Sequence, residues 1–518
     1  MLFPSFLAAV LLLGVEDVFA SSIPKTSSIP VPGKTPADAG KPWQDFFSYS
    51  IEASSFADFA GNLSTPNTFS YNLLKNLKEF AGVFPVMRIG GNTQDQISFD
   101  PKAKFTLKGT MNTTLSSDYP VNIIVGPTYY EAYQTWPGVR FVHGFNLGNQ
   151  SVRAATIALA PYLCKILKGR VDSWEMGNEP DLFWLAGQRA ENYTESEYVS
   201  DWRAMRRDLK AAMSCNEPFM APSFAGLAVE SIFKLSAVTA WKSGLDVDKD
   251  ISRVSQHNYM GVATAPGVTL QATLMNHTAV KEKVAALMNY STAIKPYTTA
   301  PYMIGEYNSL ARQGKPGISN SFGAALWGLD FNLWMATQGV KRGHMHQGTN
   351  YRYQAWQPIQ TNITTKGTKA PYYGNIAVAA FLGGIDGISN LPVASELSAA
   401  YAGYARGGRL KRVMAINMQQ YNASAWNEGF LSNYSRPIER VTFDVGCSGV
   451  GSVRRLLAEG SDSITGIAFD GYSYNWELDN GKPVLMRNIT RGETVYSRGG
   501  KVAVEVPFSS AAIVDLHC

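Results

Sequence analysis

Val171-Asp172-Ser173-Trp174-Glu175-Met176-Gly177-Asn178-Glu179-Pro180 is the stretch on which the architecture turns. It opens as a short, largely apolar run, the pattern of a parallel strand buried on both faces. Pro180 lacks an amide donor and ends the run, so Asn178 and Glu179 stand at its C-terminal end. Similar runs occur at 46–53, 86–91, 140–148, 219–224, 253–259, 302–307 and 339–346, which makes eight with 171–177. Helical patterns lie between several of them, with apolar residues three and four apart: 151–168, closed by Gly169, then 195–214, 272–288, 319–338 and 372–382. Eight alternating units predict a (β/α)8 TIM barrel over 46–390, with a doubly wound open sheet as the alternative. Residues 92–137 form a long excursion after the second strand, and 121–126 read as an extra strand outside the barrel.

Beyond 391 helical periodicity disappears. Short runs at 413–417, 441–445, 453–457 and 502–506 are separated by turns such as Asp479-Asn480-Gly481, which predicts an antiparallel β-sandwich over 391–518. Residues 21–45, rich in Ser, Pro, Lys and Gly, read as an extended lead-in.

Net charge is only +5 over 518 residues, with no run of five like charges, which argues against a basic nucleic-acid-binding surface. Residues 1–20 read as a secretory signal: Leu2–Val15 is almost wholly apolar, and Val18-Phe19-Ala20 supplies small residues for cleavage. The apolar stretch is too short to span a bilayer, and no later one is longer, so no membrane anchor is expected. Ten Asn-X-Ser/Thr triplets, at Asn62, Asn112, Asn149, Asn192, Asn276, Asn289, Asn362, Asn422, Asn433 and Asn488, fit a secreted, extracellular glycoprotein. Secretion makes disulfides expected, and pairing Cys164–Cys215 and Cys447–Cys518 keeps each bridge within one domain. The oligomeric state is left open.

In a (β/α)8 barrel the reacting groups sit at the C-terminal ends of the strands. Glu179 closes the fourth strand, and Glu306 closes Pro301–Gly305 on the seventh. Those strands lie apart around the ring, so the two carboxylates can face each other across the mouth. Two facing carboxylates are what glycoside hydrolysis needs: one protonates the leaving oxygen, the other attacks the anomeric carbon or activates water. Like charge across the mouth is expected to hold the acid protonated. Asn178, beside the acid, suits a sugar 2-hydroxyl. Glu175 reads as structural and His257 as a hydrogen-bonding core residue. Trp184, Trp327 and Trp356 are candidates for stacking on sugar faces. His344 and His346 alternate on the eighth strand without an evident third ligand, so no metal is expected; one of them is expected to line the substrate pocket and the other to be packed. Gly90-Gly91 lacks the spacing of a phosphate-cradling loop, and no cofactor is expected.

Trp174–Pro180, Arg88–Thr93, Gln256–Tyr259 and Ile304–Asn308, in this set, resemble glycoside hydrolase family 79, the family of β-glucuronidases and heparanases, and above all its fungal secreted branch. The resemblance covers nearly the whole mature chain. It implies a barrel with a β-sandwich to which the N-terminal segment adds strands, and a retaining mechanism. It implies Glu179 as general acid/base and Glu306 as nucleophile. It further implies Asn178 on the 2-hydroxyl, Tyr259 near the nucleophile, Glu52 holding sugar hydroxyls and Asn92 in the substrate-binding set. One stretch departs from the pattern. Where the family carries a Tyr-Gly-Gly-type segment for the sugar carboxylate, this chain has Ser309–Gly317, with Ala311 in place of the tyrosine. Gly314 can keep a backbone donor there, and Arg312 can offer a bidentate clamp. The expected activity is therefore β-glucuronidase action on terminal glucuronosyl residues of glycans, with a carbohydrate as the only partner. The same chemistry on a neutral sugar (β-glucosidase, β-galactosidase or β-xylosidase), or an inert carbohydrate-binding protein, stand as alternatives.

Overall fold

The computed structural model describes residues 28–114, 116–227, 232–424, 435–487 and 491–517. The leader 1–20, the sequons at Asn433 and Asn488, and the Cys447–Cys518 pairing (through Cys518) lie outside the described residues. Eight parallel strands close into a barrel: β1 Phe47–Glu52, β2 Met87–Gly90, β3 Phe141–Phe145, β4 Val171–Met176, β5 Phe219–Phe224, β6 Ile251–Val262, β7 Tyr302–Ala311 and β8 Gly343–Gln347. β8 pairs with β1 from Gly343↔Phe47 to Gln347↔Ile51, so the ring closes and the open-sheet alternative falls. The crossovers carry α1 Thr68–Ala81, α2 Pro127–Glu131, α3 Arg153–Ile166, α4 Glu195–Ala212, α5 Ala237–Lys242, α6 His277–Ile294, α7 Phe322–Thr337 and α8 Ala370–Leu382.

Local chemistry starts these helices where they start. Thr194 and Glu197 form a reciprocal capping box on α4, and the Asn67 and Asn276 side chains accept from Ser70 N and Ala279 N at the heads of α1 and α6. α8 is buried at every position and α7 at all but one, because they lie between the barrel and the C-terminal domain. Tyr401 of that domain donates to Asp330 Oδ1 of α7 at 2.6 Å, and Arg412 donates to the carbonyls of Ala380 and Phe381 on α8. At the floor of the barrel Arg342 binds Asp45 and Asp172, which Arg140 also shares.

The C-terminal domain packs two sheets. The larger runs, in spatial order, Gly387–Leu391, Ser398–Tyr404, Leu410–Asn417, Ser510–Leu516 and Gly449–Leu457 before its shorter edge strands. It begins at Gly387, ahead of the boundary read from sequence, because 387–391 pairs antiparallel with 400–404. In the smaller sheet Ile438–Asp444 lies between Lys501–Pro507 and the N-terminal Ile29–Pro30, which pairs with Phe443 and Asp444. Val413, Phe443, Val453, Val502 and Val514 fill the space between the sheets.

The excursion after β2 forms its own sheet, Ile97–Phe99, Ser116–Val125 and Leu107–Asn112. Cys164, on α3, is bonded to Cys215, beyond α4, across a sequence separation of 51. A closed loop of that length stabilises by about 4 kcal/mol in the chain-entropy account. Replacing both cysteines with Ala is therefore expected to lower Tm by several degrees in a thermal scan, leaving activity at 25 °C intact. Among the described sequons, Asn112, Asn192, Asn289 and Asn362 are exposed, and Asn62, Asn149 and Asn276 are half-buried. Asn422 is a correction: it is fully buried, its carbonyl accepts from Ser461 Oγ at 2.7 Å, and no space remains for a sugar.

Candidate active site

At the end of β4 the chain turns sharply. Gly177 has φ +77°, and Glu179 itself takes φ +53°, a left-handed backbone that costs a non-glycine residue about 1–3 kcal/mol and persists only where the surroundings impose it. Glu179 N–H donates to Ser223 O at 3.0 Å, which holds the turn against β5. Asn178 N–H donates to Asp95 Oδ2 at 2.6 Å; Asp95 also accepts from the amides of Leu147 and Gly148, and burial pushes it up to about 6.

On the other side β6 and β7 pair with His257 opposite Glu306, directly after an irregularity at Gln256/His257 that re-aims the side chains. Glu306 is 5% exposed. Its Oε1 accepts from Tyr259 Oη at 2.7 Å and its Oε2 from Arg88 at 2.8 Å. The nearest donor atoms of Glu179, His257 and Glu306 all lie within 4.8 Å of one another. That closest approach of single atoms fits the ~5–5.5 Å carboxyl separation of retaining glycosidases.

The two glutamates are pushed apart electrostatically. Burial, reinforced by the charge of Glu306, raises Glu179 to about 8. Burial would raise Glu306 as well, but the charge of His346, that of His257 once acid has protonated it, the Arg88 guanidinium and the Tyr259 hydrogen bond outweigh it and bring it down to about 2. At neutral pH one is an acid and the other an anion, the division of labour a two-carboxylate hydrolase requires. The donor atoms of Glu179, His257 and Glu306 are close enough to hold a cation, but the Arg88 guanidinium already lies against Glu306 and supplies that charge.

Residues 400–513 match the family model described as glycosyl hydrolase family 79 C-terminal beta domain. A β-glucuronidase of Aspergillus niger is 46% identical over 515 residues, spanning 95% of this chain and 94% of that one. The chain belongs to glycosyl hydrolase family 79. A β-glucuronidase of Neurospora crassa is 44% identical over 91% of this chain and 93% of its own. In fold the enzyme is similar to a 4-O-α-L-rhamnosyl-β-D-glucuronidase from Fusarium oxysporum, with TM-score 0.78 at 24% identity, covering 95% of this chain and all of that one. It is also similar to a family 51 α-L-arabinofuranosidase from Bifidobacterium longum, with TM-score 0.62 at 14% identity, covering 95% and 99%.

This family 79 hydrolase gathers Glu179, Glu306, Asn178 and Tyr259 at one mouth, as the sequence reading expects. Asn92 joins them: its Oδ1 accepts from Asn178 Nδ2 at 3.3 Å, and its Nδ2 donates to Tyr119 Oη of the excursion at 3.3 Å. Three expectations change. Glu52 is 1% exposed, and its oxygens are taken by Thr93 N–H, Thr93 Oγ1 and Tyr351 Oη, so in this structure it supports the pocket wall instead of presenting free acceptors. Gly91, at φ +80°, is required there, since a Cβ would meet both Glu52 oxygens at 2.8 and 2.9 Å. Arg312 and Gln313 both have positive φ, which turns the Arg312 side chain out to solvent; Gly314 N–H donates to Leu310 O at 3.1 Å and is not a free donor. Trp327 and Trp356 are fully buried core residues, and Trp184 is held by Ile232 O, which removes the first two as stacking platforms.

Three site residues escape the sequence reading: Arg88, His257 as a partner of Glu179, and Tyr353. Of the two β8 histidines, one of which is expected at the pocket lining, it is His346 that stands there. Arg88 is wholly buried and makes four bonds: to Glu175 at 2.7 Å, Ser50 at 2.8 Å, Glu306 at 2.8 Å and Asn178 at 2.9 Å. An arginine inside an otherwise apolar strand was the available signal. His257, read as core, has Nδ1 at 3.0 Å from Glu179 Oε1, and burial lowers it to about 4, so it is neutral at pH 7. His346 bridges the pocket, with Nδ1 3.6 Å from Glu306 and Nε2 3.5 Å from Glu52. Burial alone would lower it, but those two carboxylates raise it. Tyr353 flanks Tyr259, ring centroids 6.1 Å apart.

The pKa pair sets the pH profile. With Glu179 as the acid and Glu306 as the anion of a two-carboxylate hydrolase, kcat/KM is expected to fall as pH rises through about 8 and again only as it approaches about 2. The alkaline limb is expected to vanish in Glu179→Gln assayed on a substrate whose leaving group needs no proton.

Proposed function

We propose that the protein is a retaining β-glucuronidase that removes terminal glucuronosyl residues from glycans, with Glu306 as nucleophile and Glu179 as acid/base. The spacing and opposed ionisation of these two carboxylates carry the reading, and the identity to two fungal β-glucuronidases supports the sugar. An oxygen of Glu306 attacks the anomeric carbon as the bond to the leaving oxygen breaks, and Glu179 gives that oxygen its proton. The glycosyl ester cancels the charge of Glu306, which removes a major cause of the raised Glu179 pKa. Glu179 then takes a proton from water, which attacks the same carbon and frees Glu306. Two inversions leave the β configuration in the product. Asn178, fixed by Arg88 on its carbonyl, gives one Nδ2 hydrogen to Asn92 and keeps the other for the sugar.

The apolar leader and the exposed sequons support a secreted glycoprotein. One observation favours a second reading, a neutral sugar at the cleaved position: the Arg312 side chain is solvent-exposed and the Gly314 amide is already bonded to Leu310 O. The test is kcat/KM on matched 4-nitrophenyl β-glycosides, with the anomer of the first-formed product read by NMR. A glucuronide preference with β product is expected. A preferred glucoside, galactoside or xyloside would establish the second reading, and α product would overturn the mechanism.

A further inference from the structure

The loop after β8 is a partition with two faces. On one face Tyr351 Oη reaches Glu52 at 2.9 Å inside the catalytic pocket. On the other, Tyr351 and Arg352 line a separate cavity of about 260 Å³ between this loop and the C-terminal domain. Arg352 is fixed in the wall by two bonds to Asp118 of the excursion, at 3.0 and 2.9 Å. The volume falls just below the ~300 Å³ at which pockets for drug-sized ligands begin, room for one sugar unit and not an oligosaccharide.

Its chemistry is that of a sugar site. Thr365, Thr368, Asn475 and Lys369 contribute hydroxyl, amide and ammonium groups. Two lysines, Lys366 and Lys369, line it against one acid, Glu477, the charge of Arg352 being met by Asp118; the Lys369 ammonium spends one of its three hydrogens on Thr365 O. The Lys366 ammonium lies 3.5 Å from the centroid of Trp476, which fixes it at the wall. Gln354 points to a ligand most directly. It is 2% exposed, it lines the cavity, and its Oε1 has no hydrogen-bond partner. A buried acceptor left unmade costs ~1–3 kcal/mol, and an incoming hydroxyl would satisfy it. Thr365 and Glu477 are exposed at the rim and leave a way in.

We propose that this cavity is a second carbohydrate site that takes one acidic sugar unit, a hexuronate, with a ring hydroxyl on Gln354 Oε1 and the carboxylate among Lys366 and Lys369. The ligand class rests on the glucuronide reading of the catalytic pocket, while the site rests on its own geometry.

Calorimetric titration of the full chain with sodium D-glucuronate separates the two. Two classes of site are expected, catalytic pocket and cavity. In Gln354→Leu the second class is expected to weaken about tenfold, while turnover of 4-nitrophenyl β-glucuronide holds and Tm stays level or rises, because an orphaned acceptor has been replaced by an apolar group. Thr365→Trp, which plugs the exposed rim, is expected to abolish the same class without touching the interior. A single class that weakens in Gln354→Leu and is lost in Thr365→Trp keeps the proposal and overturns the glucuronate reading of the catalytic pocket. Binding that both variants leave unchanged, or no binding at all, overturns the proposal.

Discussion

Glu306→Ala and Glu179→Ala are each expected to lose on the order of 10⁴-fold or more in kcat on natural glycans, the scale seen when a covalent nucleophile or its proton partner is removed. Loss alone does not separate the two roles; azide does. In Glu179→Ala, 4-nitrophenolate leaves without a proton, the glycosyl ester on Glu306 still forms, and azide displaces it from the opposite face. Two inversions give the β-glycosyl azide. In Glu306→Ala, azide occupies the space of the missing carboxylate and attacks the substrate directly while Glu179 protonates the leaving group. One inversion gives the α-glycosyl azide. NMR of the two products is the measurement. The same anomer from both variants would overturn the assignment, and the opposite pairing would exchange the roles.

The second large effect is expected at Arg88. Its guanidinium is 0% exposed and is the common partner of Glu175, Glu306 and Asn178. Arg88→Met keeps much of the volume and removes the charge, leaving Glu175 as a buried anion whose remaining described partner is Ser223. Breaking a buried pair from one side costs about 3–5 kcal/mol. Catalysis is expected to suffer for separate reasons: Glu306 loses a cation that lowers its pKa, so the acid limb of the pH profile moves up, and Asn178 loses the bond that orients its carboxamide. Thermal unfolding measures the first effect and the pH–rate profile the second. Arg88→Lys returns charge without the fork and is expected to recover stability more than rate. An acid limb that stays in place in Arg88→Met would show that Arg88 is structural only.

The barrel was legible because its strands are apolar on both faces and end where carboxylates begin. Glu179 and Glu306 could be placed at the mouth from strand ends alone. The runs read from sequence, 253–259 and 302–307, stopped short, however, of β6 and β7, which continue to Val262 and, through Asn308 and Ser309, to Ala311. Asn308 and Ser309 are buried by bonding to the His346 and Tyr353 carbonyls and to Ser319 Oγ, and hydrophobic periodicity carries no record of that. The role of His257, and which of His344 and His346 lines the pocket, were illegible for the same reason, since a histidine's role depends on which carboxylate faces it from another strand. Helices α2 and α5, five and six residues long, are too short to leave a 3.6-residue period. Arg312 looked like a clamp because sequence gives residue type without φ. Three successive left-handed residues, Arg312 to Gly314, decide where that side chain goes.

The pairing of Ile29–Pro30 with Phe443–Asp444 joins the start of the described chain to its last domain. During synthesis the barrel strands emerge in order and can close while that first segment still lacks its partner. The segment must wait, extended, until nearly all of the chain has been made. Its seat lies at the edge of the smaller sheet, so a tag or surface linker fused there would hang from the sandwich and leave the barrel mouth clear. A deletion that removes Ile29 and Pro30 would uncover the edge of Ile438–Asp444, a row of unpaired amides and carbonyls open to a neighbouring molecule. The consequence of losing a two-residue strand would then be self-association, with the catalytic apparatus untouched.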